Sequence, residues 1–484
     1  MSLKIALNRK SNIDLSQQLY QQLKQLILDG SLPAGKRIPS SRELAETLKI
    51  SRPTVAKSLE QLQQEGFLFL KHGSGTFVSA NVRKAAGKPK IRVRVSKFGK
   101  HLEKQLRTEK TGEALSETRQ TPDIAFYCWR PALDQFPHDT WARILGRNAR
   151  DNQTFSHGEP TTSIGQENLR AAIALLVEKY RGLHCTKEQV IIVNGLHQAI
   201  DLVARMQLDD GDTAIIEEPG YHRAREIFSA YGAKIVGGAV DEDGIKTAQF
   251  RTNKNTRLIY VTPSHQFPTG YTMTLARRQA LLDWAQTNAA IILEDDYDSE
   301  YHGQGKPIPA LMSLDKHESV IYAGTLNQIM MPSLGIGYLI VPPSLVALYA
   351  RAHSLAGDTL PPSVQDSVAE FINDGHLDSH IRKLRLLYAE RRTALLQSLK
   401  KHLGGRVKIS GQDSGVFVLA QFDTSLSSTE IIERAAVDGI ALTDTKNFYL
   451  GKPKPNEFVL GFGSLKPSQI REGIRRLAKI IGSD

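Results

Sequence analysis

Five apolar residues, Leu15, Leu19, Leu23, Leu26 and Ile27, recur at helical spacing, and Gly30 follows them as a stop signal. Pro33, Gly35 and Pro39 make a turn-rich connector. A second helix is expected to open at Ser40-Ser41-Arg42-Glu43, with Leu44, Ala45 and Leu48 on one face. A third begins near Ser51-Arg52-Pro53, where Ser51 suits an N-cap and proline is tolerated in the first turn. Val55, Leu59 and Leu62 form its apolar stripe, and Gly66 ends it. Phe67–Phe69 and Gly75–Val78 then read as two short strands around Lys71-His-Gly-Ser-Gly75. The predicted order is helix, helix–turn–helix, β-wing.

From about residue 119 the pattern changes. Apolar runs of strand length occur at Val190–Val193, Thr213–Ile216, Ile235–Val236, Leu258–Val261, Ile291–Leu293 and Ser319–Tyr322. Long amphipathic stretches, Gln166–Tyr180, Ala276–Thr287 and Ser363–His402, lie between or after them. This alternation predicts an α/β domain on a mostly parallel sheet, with ligands at the carboxyl ends of its strands. Residues 81–118 hold much Lys and Arg and few large apolar residues, as expected of a flexible or partly helical tether. The expected organisation is therefore an N-terminal domain at 1–80, a basic linker at 81–118 and a large domain at 119–484.

Composition agrees with a multidomain globular chain: 484 residues, 40% hydrophobic and 23% charged. No apolar run approaches a membrane span, and the N-terminus lacks the apolar core of a signal peptide. Two cysteines, Cys128 and Cys185, give no disulfide framework and are expected to be buried free thiols in a reducing cytoplasm. The net charge of +11 is unevenly placed. Residues 1–80 hold 11 Lys+Arg against 6 Asp+Glu, and residues 81–118 hold 11 against 4, leaving 40 against 41 for the rest. A polyanion-binding front end on a near-neutral body accounts for this; a solvated basic linker beside a neutral domain accounts for 81–118 nearly as well.

The third helix carries a surface suited to DNA. Arg52, Thr54, Lys57 and Ser58 are read as lying off its apolar stripe, near the end that a recognition helix points at base edges. Arg pairs bidentately with guanine, and Ser and Thr hydroxyls reach phosphates. Ser40, Ser41 and Arg42 are expected to meet the backbone at the second helix's N-terminus, where free N–H groups favour an anion. A solvated helix face is the plainer alternative. Ile-Pro-Ser-Ser-Arg-Glu-Leu-Ala-Glu-Thr-Leu at 38–48, Ser-Arg-Pro-Thr-Val at 51–55 and Gly-Ser-Gly-Thr-Phe-Val at 73–78 resemble the GntR-type winged helix–turn–helix. The resemblance implies a dimeric regulator that binds double-stranded operator DNA. Its usual contact positions fall on Arg42, Arg52, Thr54 and the Gly73–Gly75 wing, beside the N-cap Ser51.

In the large domain the motifs fall at predicted strand ends. Val193-Asn-Gly195-Leu196-His197-Gln198 follows a strand and opens a helix, so its backbone N–H groups suit a phosphate. Glu218-Pro-Gly-Tyr221-His-Arg223 follows the next strand, and Thr262-Pro-Ser-His-Gln-Phe-Pro-Thr-Gly270 is a turn-rich loop after another. Ile292-Leu-Glu-Asp-Asp-Tyr-Asp-Ser-Glu300 places Asp295 and Tyr297 at a strand end, without convincing metal-ligand spacing. Together these resemble the class I aminotransferase fold, the fold-type I architecture of pyridoxal phosphate (PLP) enzymes, as it occurs in the MocR/GabR subfamily of GntR regulators. The resemblance implies that Gly195, Leu196, His197 and Thr325 face a cofactor phosphate. It also implies that Tyr221 stacks on the pyridine ring, Asp295 pairs with the ring nitrogen and Tyr297 bonds the ring hydroxyl. Arg223 is a candidate for a ligand carboxylate. A head-to-tail homodimer follows from the same resemblance.

The departures lie in that same pocket. Tyr322-Ala-Gly-Thr-Leu-Asn-Gln-Ile-Met-Met-Pro-Ser-Leu-Gly-Ile-Gly-Tyr338 reads like the segment that carries the cofactor lysine, yet position 328 is glutamine. A carboxamide nitrogen forms no Schiff base, because its lone pair is delocalised into the carbonyl. Gly335 stands where the family usually has a phosphate-binding arginine. Trp129, His157 in His157-Gly-Glu-Pro160, and Val459 replace a glycine, a tyrosine and an arginine of the family pattern. The expected function is a DNA-binding transcription regulator with a catalytically inactive, aminotransferase-like domain that dimerises and senses a small ligand without covalent PLP. Non-covalent PLP is the alternative. An active aminotransferase would need another lysine, such as Lys306 in Gly305-Lys-Pro, and an architectural DNA-bridging protein with no effector is a third class.

Overall fold

The computed structural model describes residues 5–9, 11–80, 94–108, 122–128, 130–150, 164–250, 255–301, 308–356, 360–412 and 415–482. Trp129, His157–Pro160 and Lys306 lie outside the described residues. The chain divides into two compact units, Met1–Arg94 and Val95–Asp484.

The first unit holds α1 (Leu15–Leu28), α2 (Ser41–Leu48) and α3 (Arg52–Gln64), then the antiparallel hairpin of β1 (Leu68–Lys71) and β2 (Gly75–Val78). Leu19, Leu23 and Ile27 of α1 meet Leu44 of α2 and Val55, Leu59 and Leu62 of α3, with Leu68 and Val78 closing the core. A capping box starts α2: the Ser40 hydroxyl accepts from the Glu43 N–H at 3.2 Å, and the Glu43 carboxylate accepts from the Ser40 N–H at 2.7 Å. Ser40→Ala is expected to cost this unit about 1 kcal/mol, read as a lower melting temperature of its transition. The Ser51 hydroxyl caps α3 by accepting from the Thr54 N–H.

One expectation fails here. Ser58 is 1% exposed and donates its hydroxyl to the Ser16 carbonyl at 2.7 Å. It lies between Val55 and Leu62 at helical spacing, so position rather than polarity decides which way it faces.

In the second unit α4 (Lys97–Thr108) packs on the body. Lys97 pairs with Asp210 at 3.0 Å, the Phe98 ring meets Tyr231 edge-on at 5.0 Å, and the Gln105 amide donates to the Glu226 carbonyl at 2.8 Å. The later part of the expected tether is thus a docked helix.

The main sheet has eight strands: β4 (Val190–Asn194), β5 (Thr213–Glu218), β6 (Lys234–Asp241), β7 (Gly244–Ile245), β8 (Thr256–Val261), β9 (Ile291–Asp296), β10 (Val320–Thr325) and β11 (Ile336–Ile340). Their order is β4-β11-β10-β9-β8-β5-β6-β7. The β10–β9, β9–β8, β8–β5 and β5–β6 pairs are parallel, while β11 runs against both β10 and β4, and β7 runs against β6. The carboxyl ends of β4, β5, β8, β9 and β10 therefore share one edge.

The body helices begin with α5 (His138–Arg150), α6 (Glu167–Arg181), α7 (Gly195–Gln207), α8 (His222–Ala230), α9 (Leu275–Asn288) and α10 (Val346–Ala356). The amphipathic stretch 363–402 is two helices, α11 (Pro362–Asn373) and α12 (His376–Leu403). Gly375, at φ +76°, breaks them, a conformation that glycine adopts without the usual Cβ strain. Beyond them lies a second sheet not anticipated from the sequence. It is antiparallel in the order β12-β13-β16-β15, made of β12 (Val407–Ser410), β13 (Phe417–Phe422), β15 (Thr443–Asp444) and β16 (Glu457–Gly461). α13 (Ser428–Val437) and α14 (Pro467–Ile481) accompany it, and β3 (Ile124–Ala125) pairs in parallel with β14 (Ile440–Ala441).

Candidate functional site

A cavity of about 240 Å³ opens at the carboxyl ends of the main strands. Gly195, Leu196, His197, Tyr221, Asp295, Tyr297, Thr325 and Gln328 all line it, together with Asn194, Thr262, Phe267, Asn327 and Gly335. Gly195 to His197 form the first turn of α7 directly after β4, so backbone N–H groups and the helix dipole face the cavity. Tyr221 is the N-cap residue of α8, and its hydroxyl lies 2.8 Å from His197 Nε2. Thr325 ends β10, and its hydroxyl donates to the Ile336 carbonyl.

Asp295 is the most unusual group in the wall. It is 3% exposed, its Oδ2 accepts from the Tyr260 hydroxyl, and its Oδ1 has no partner. Burial pushes its pKa up to about 8, the Tyr260 hydrogen bond opposes the shift, and the nearby Asp296, Glu217 and Asp298 charges add to it. Tyr297, also in the cavity wall, donates its hydroxyl to the His265 carbonyl at 2.7 Å, with His265 Nδ1 3.2 Å away.

Gln328 lines the cavity with a carboxamide, whose nitrogen is no nucleophile. Its Oε1 is buried and unpartnered, and its backbone carbonyl accepts from the Tyr301 hydroxyl at 2.8 Å. No lysine or arginine is among the described residues lining the cavity. Gly335, at φ +62°, offers open space where a side chain would start, in a conformation that favours glycine. The wall thus suits an aromatic ring with a nitrogen against Asp295.

Arg223 requires a correction, because it is not among the cavity-lining residues. It pairs with Glu226 at 2.9 Å in a separate groove that also involves Phe98, Leu102 and Tyr231. Its charge still reaches the cavity wall, where it acts on Tyr221 and His197. Val459 lies fully buried in β16, paired with Leu419 and Thr443.

Sequence reasoning missed the polar layer beneath the cavity. Glu217 of β5 accepts from the Thr262 N–H at 3.0 Å, the Thr262 hydroxyl at 2.6 Å and the Gln266 amide at 3.2 Å. Burial pushes its pKa up to about 7 against those three bonds. Nothing short-range signals it, because its partners lie on another strand and loop. Among the described residues no group of three His, Cys, Asp or Glu is placed to hold a metal ion. No described helix is long and apolar enough to cross a membrane.

In the first unit the candidate DNA-facing residues gather where α2 and α3 begin. Ser51, Arg52 and Lys57 are exposed, as are Ser40 and Arg42, while Ser41 and Thr54 are partly buried. Arg52 Nε reaches the Ser41 hydroxyl at 3.5 Å, joining the two helix starts. Arg42 makes an exposed pair with Glu46 at 3.3 Å, and the Ser51 and Thr54 hydroxyls lie 2.6 Å apart. Gly73 and Gly75 sit at the wing turn. Arg37 was not anticipated there: its guanidinium lies over Gly75, close enough that a Cβ would meet Nε at 2.8 Å. It came from a connector whose only sequence signal was its turn residues.

Comparison with known proteins agrees with this division. Residues 15–78 match the family model described as bacterial regulatory proteins, gntR family, and residues 134–477 match aminotransferase class I and II. The probable rhizopine catabolism regulatory protein MocR of Rhizobium meliloti is 36% identical over 483 residues, covering 98% of this chain and 95% of that protein. The uncharacterized HTH-type transcriptional regulator YdeL of Bacillus subtilis (strain 168) is 35% identical over 472 residues, covering 97% of each. Among solved structures, the kynurenine aminotransferase of Pyrococcus horikoshii superposes with a TM-score of 0.68 at 25% identity, over 84% of this chain and 98% of that one. With a GntR-type winged helix–turn–helix ahead of an aminotransferase-like body, the chain belongs to the MocR subfamily of GntR transcription regulators.

Proposed function

We propose that this regulator binds operator DNA through α2, α3 and the wing, and that its aminotransferase-like body binds a small effector without a covalent cofactor bond and without transamination. The observation that carries the reading is Gln328 in the cavity wall, with no lysine among the described lining residues. A homodimer arranged head to tail is part of the proposal, on the family resemblance. An effector then acts by binding one domain arrangement more tightly than another. PLP held without a covalent bond is a second reading, favoured by the unpartnered Asp295 Oδ1 and the Tyr221 and Tyr297 rings beside it.

The DNA-binding half is tested by footprinting on the promoter regions nearest the gene. One defined protected site, with altered transcription, is expected; protection without a defined site would favour an architectural role. Arg52→Ala should weaken binding to that site by about 1–3 kcal/mol. Unchanged affinity in a gel-shift titration would refute the recognition-helix assignment.

A further inference from the structure

Three acceptor oxygens in one small cavity have no hydrogen-bond partner: Asp295 Oδ1, Asn327 Oδ1 and Gln328 Oε1. Buried acceptors are normally paired, and each one left unmet costs stability. No lysine or arginine among the described lining residues balances them. Arg223, outside the described lining, is already paired with Glu226 at 2.9 Å. We propose that the cavity takes a flat, nitrogen-bearing aromatic ligand that donates hydrogen bonds and carries no phosphate. The inference rests on reading the body as a ligand-binding rather than a catalytic domain, and it names the ligand class.

The start of α7 still offers a helix dipole, but the Asn194 N–H is already taken by the Gln198 side chain at 2.6 Å. The Thr325 hydroxyl is directed at the Ile336 carbonyl. A dianion placed there would meet backbone N–H groups of the first turn of α7 but no lysine or arginine among the described lining residues, so its charge would be poorly balanced. The other walls suit a donor-bearing ring. Tyr221, Phe267 and Tyr297 supply aromatic surface, and the volume of about 240 Å³ lies below the roughly 300–1,000 Å³ of drug-sized ligand sites, so a single substituted ring suits it. A protonated ring nitrogen against Asp295 would favour its ionised form, in place of the neutral form that burial favours.

Pyridoxamine and pyridoxamine 5′-phosphate make a matched pair of probes. Neither carries an aldehyde, so their binding does not depend on what residue 328 can do covalently. In calorimetric titrations of the full-length protein, pyridoxamine is expected to bind with a Kd at least tenfold below that of its phosphate ester. Asp295→Asn should weaken pyridoxamine binding about tenfold or more. If that variant fails to fold, Gln328→Leu, which removes an acceptor and keeps the volume, should do the same, and Gln328→Glu should restore binding. Tighter binding of the phosphate ester, no binding of pyridoxamine, or indifference to the acceptor variants would overturn the proposal. A covalent adduct with pyridoxal phosphate would instead overturn the reading it rests on.

Discussion

Gln328→Lys is expected to give the protein a borohydride-reducible bond to PLP that the wild type lacks. The glutamine side chain already lines the cavity beside Asn327 and Thr325, so a lysine there would bring its amine to the same wall. Partial burial lowers a lysine's pKa and raises the fraction of neutral, nucleophilic amine. The expected result is an all-or-none difference, seen as a new visible absorbance and a mass increase after reduction. Adding Gly335→Arg should tighten binding of the phosphorylated cofactor, because it places a cation in the cavity lining. The space is open, but the backbone at φ +62° resists a side chain, at a cost of roughly 1–2 kcal/mol. A Gln328→Lys protein that folds, melts normally and still takes up no PLP would mean that the segment does not hold the lysine position.

The second large effect is on stability against pH. Glu217 and Asp295 are fully buried carboxyls with pKa values pushed up to about 7 and about 8. The folded values lie above the unfolded ones, so the native state holds protons that the unfolded chain gives up. This contribution is fully present below the unfolded values near 4. It is lost as pH rises through the folded values, at about 1.4 kcal/mol per pH unit for each group. Stability is therefore expected to fall by a few kcal/mol between pH 6 and 8 and then level off. Asp295→Asn keeps an acceptor for Tyr260 but cannot titrate, so it should flatten the slope and raise the melting temperature at pH 8. Chemical denaturation across that pH range checks both points. A slope that steepens in the variant would contradict the assignment.

Parts of the structure were legible in the sequence because local signals agreed with one another. In the winged unit the Ser40 and Ser51 caps, the Leu23–Leu44–Leu62 spacing and the glycines near the wing all point to the same boundaries. The cavity was legible because its lining residues end strands or open helices in a recognisable order. The failures have physical causes too. Ser58 was assigned by its polarity although its position placed it inside. Arg223 suits a ligand carboxylate by its chemistry, yet in the fold it pairs with Glu226 outside the cavity lining, a contact no short motif announces. The small sheet escaped notice because its central strands, Phe417–Phe422 and Glu457–Gly461, pair across a long separation. The Tyr260–Asp295 and Thr262–Glu217 contacts join separate strands, so no local pattern announces them.

The central claim is that the body keeps the architecture of a PLP enzyme without its covalent chemistry. The most direct test is the intact mass of the wild-type protein after incubation with PLP and reduction with borohydride. The expected result is an unchanged mass, alongside undetectable amino-group transfer. A stoichiometric mass increase localised by peptide mapping to a lysine in the cavity would contradict the account.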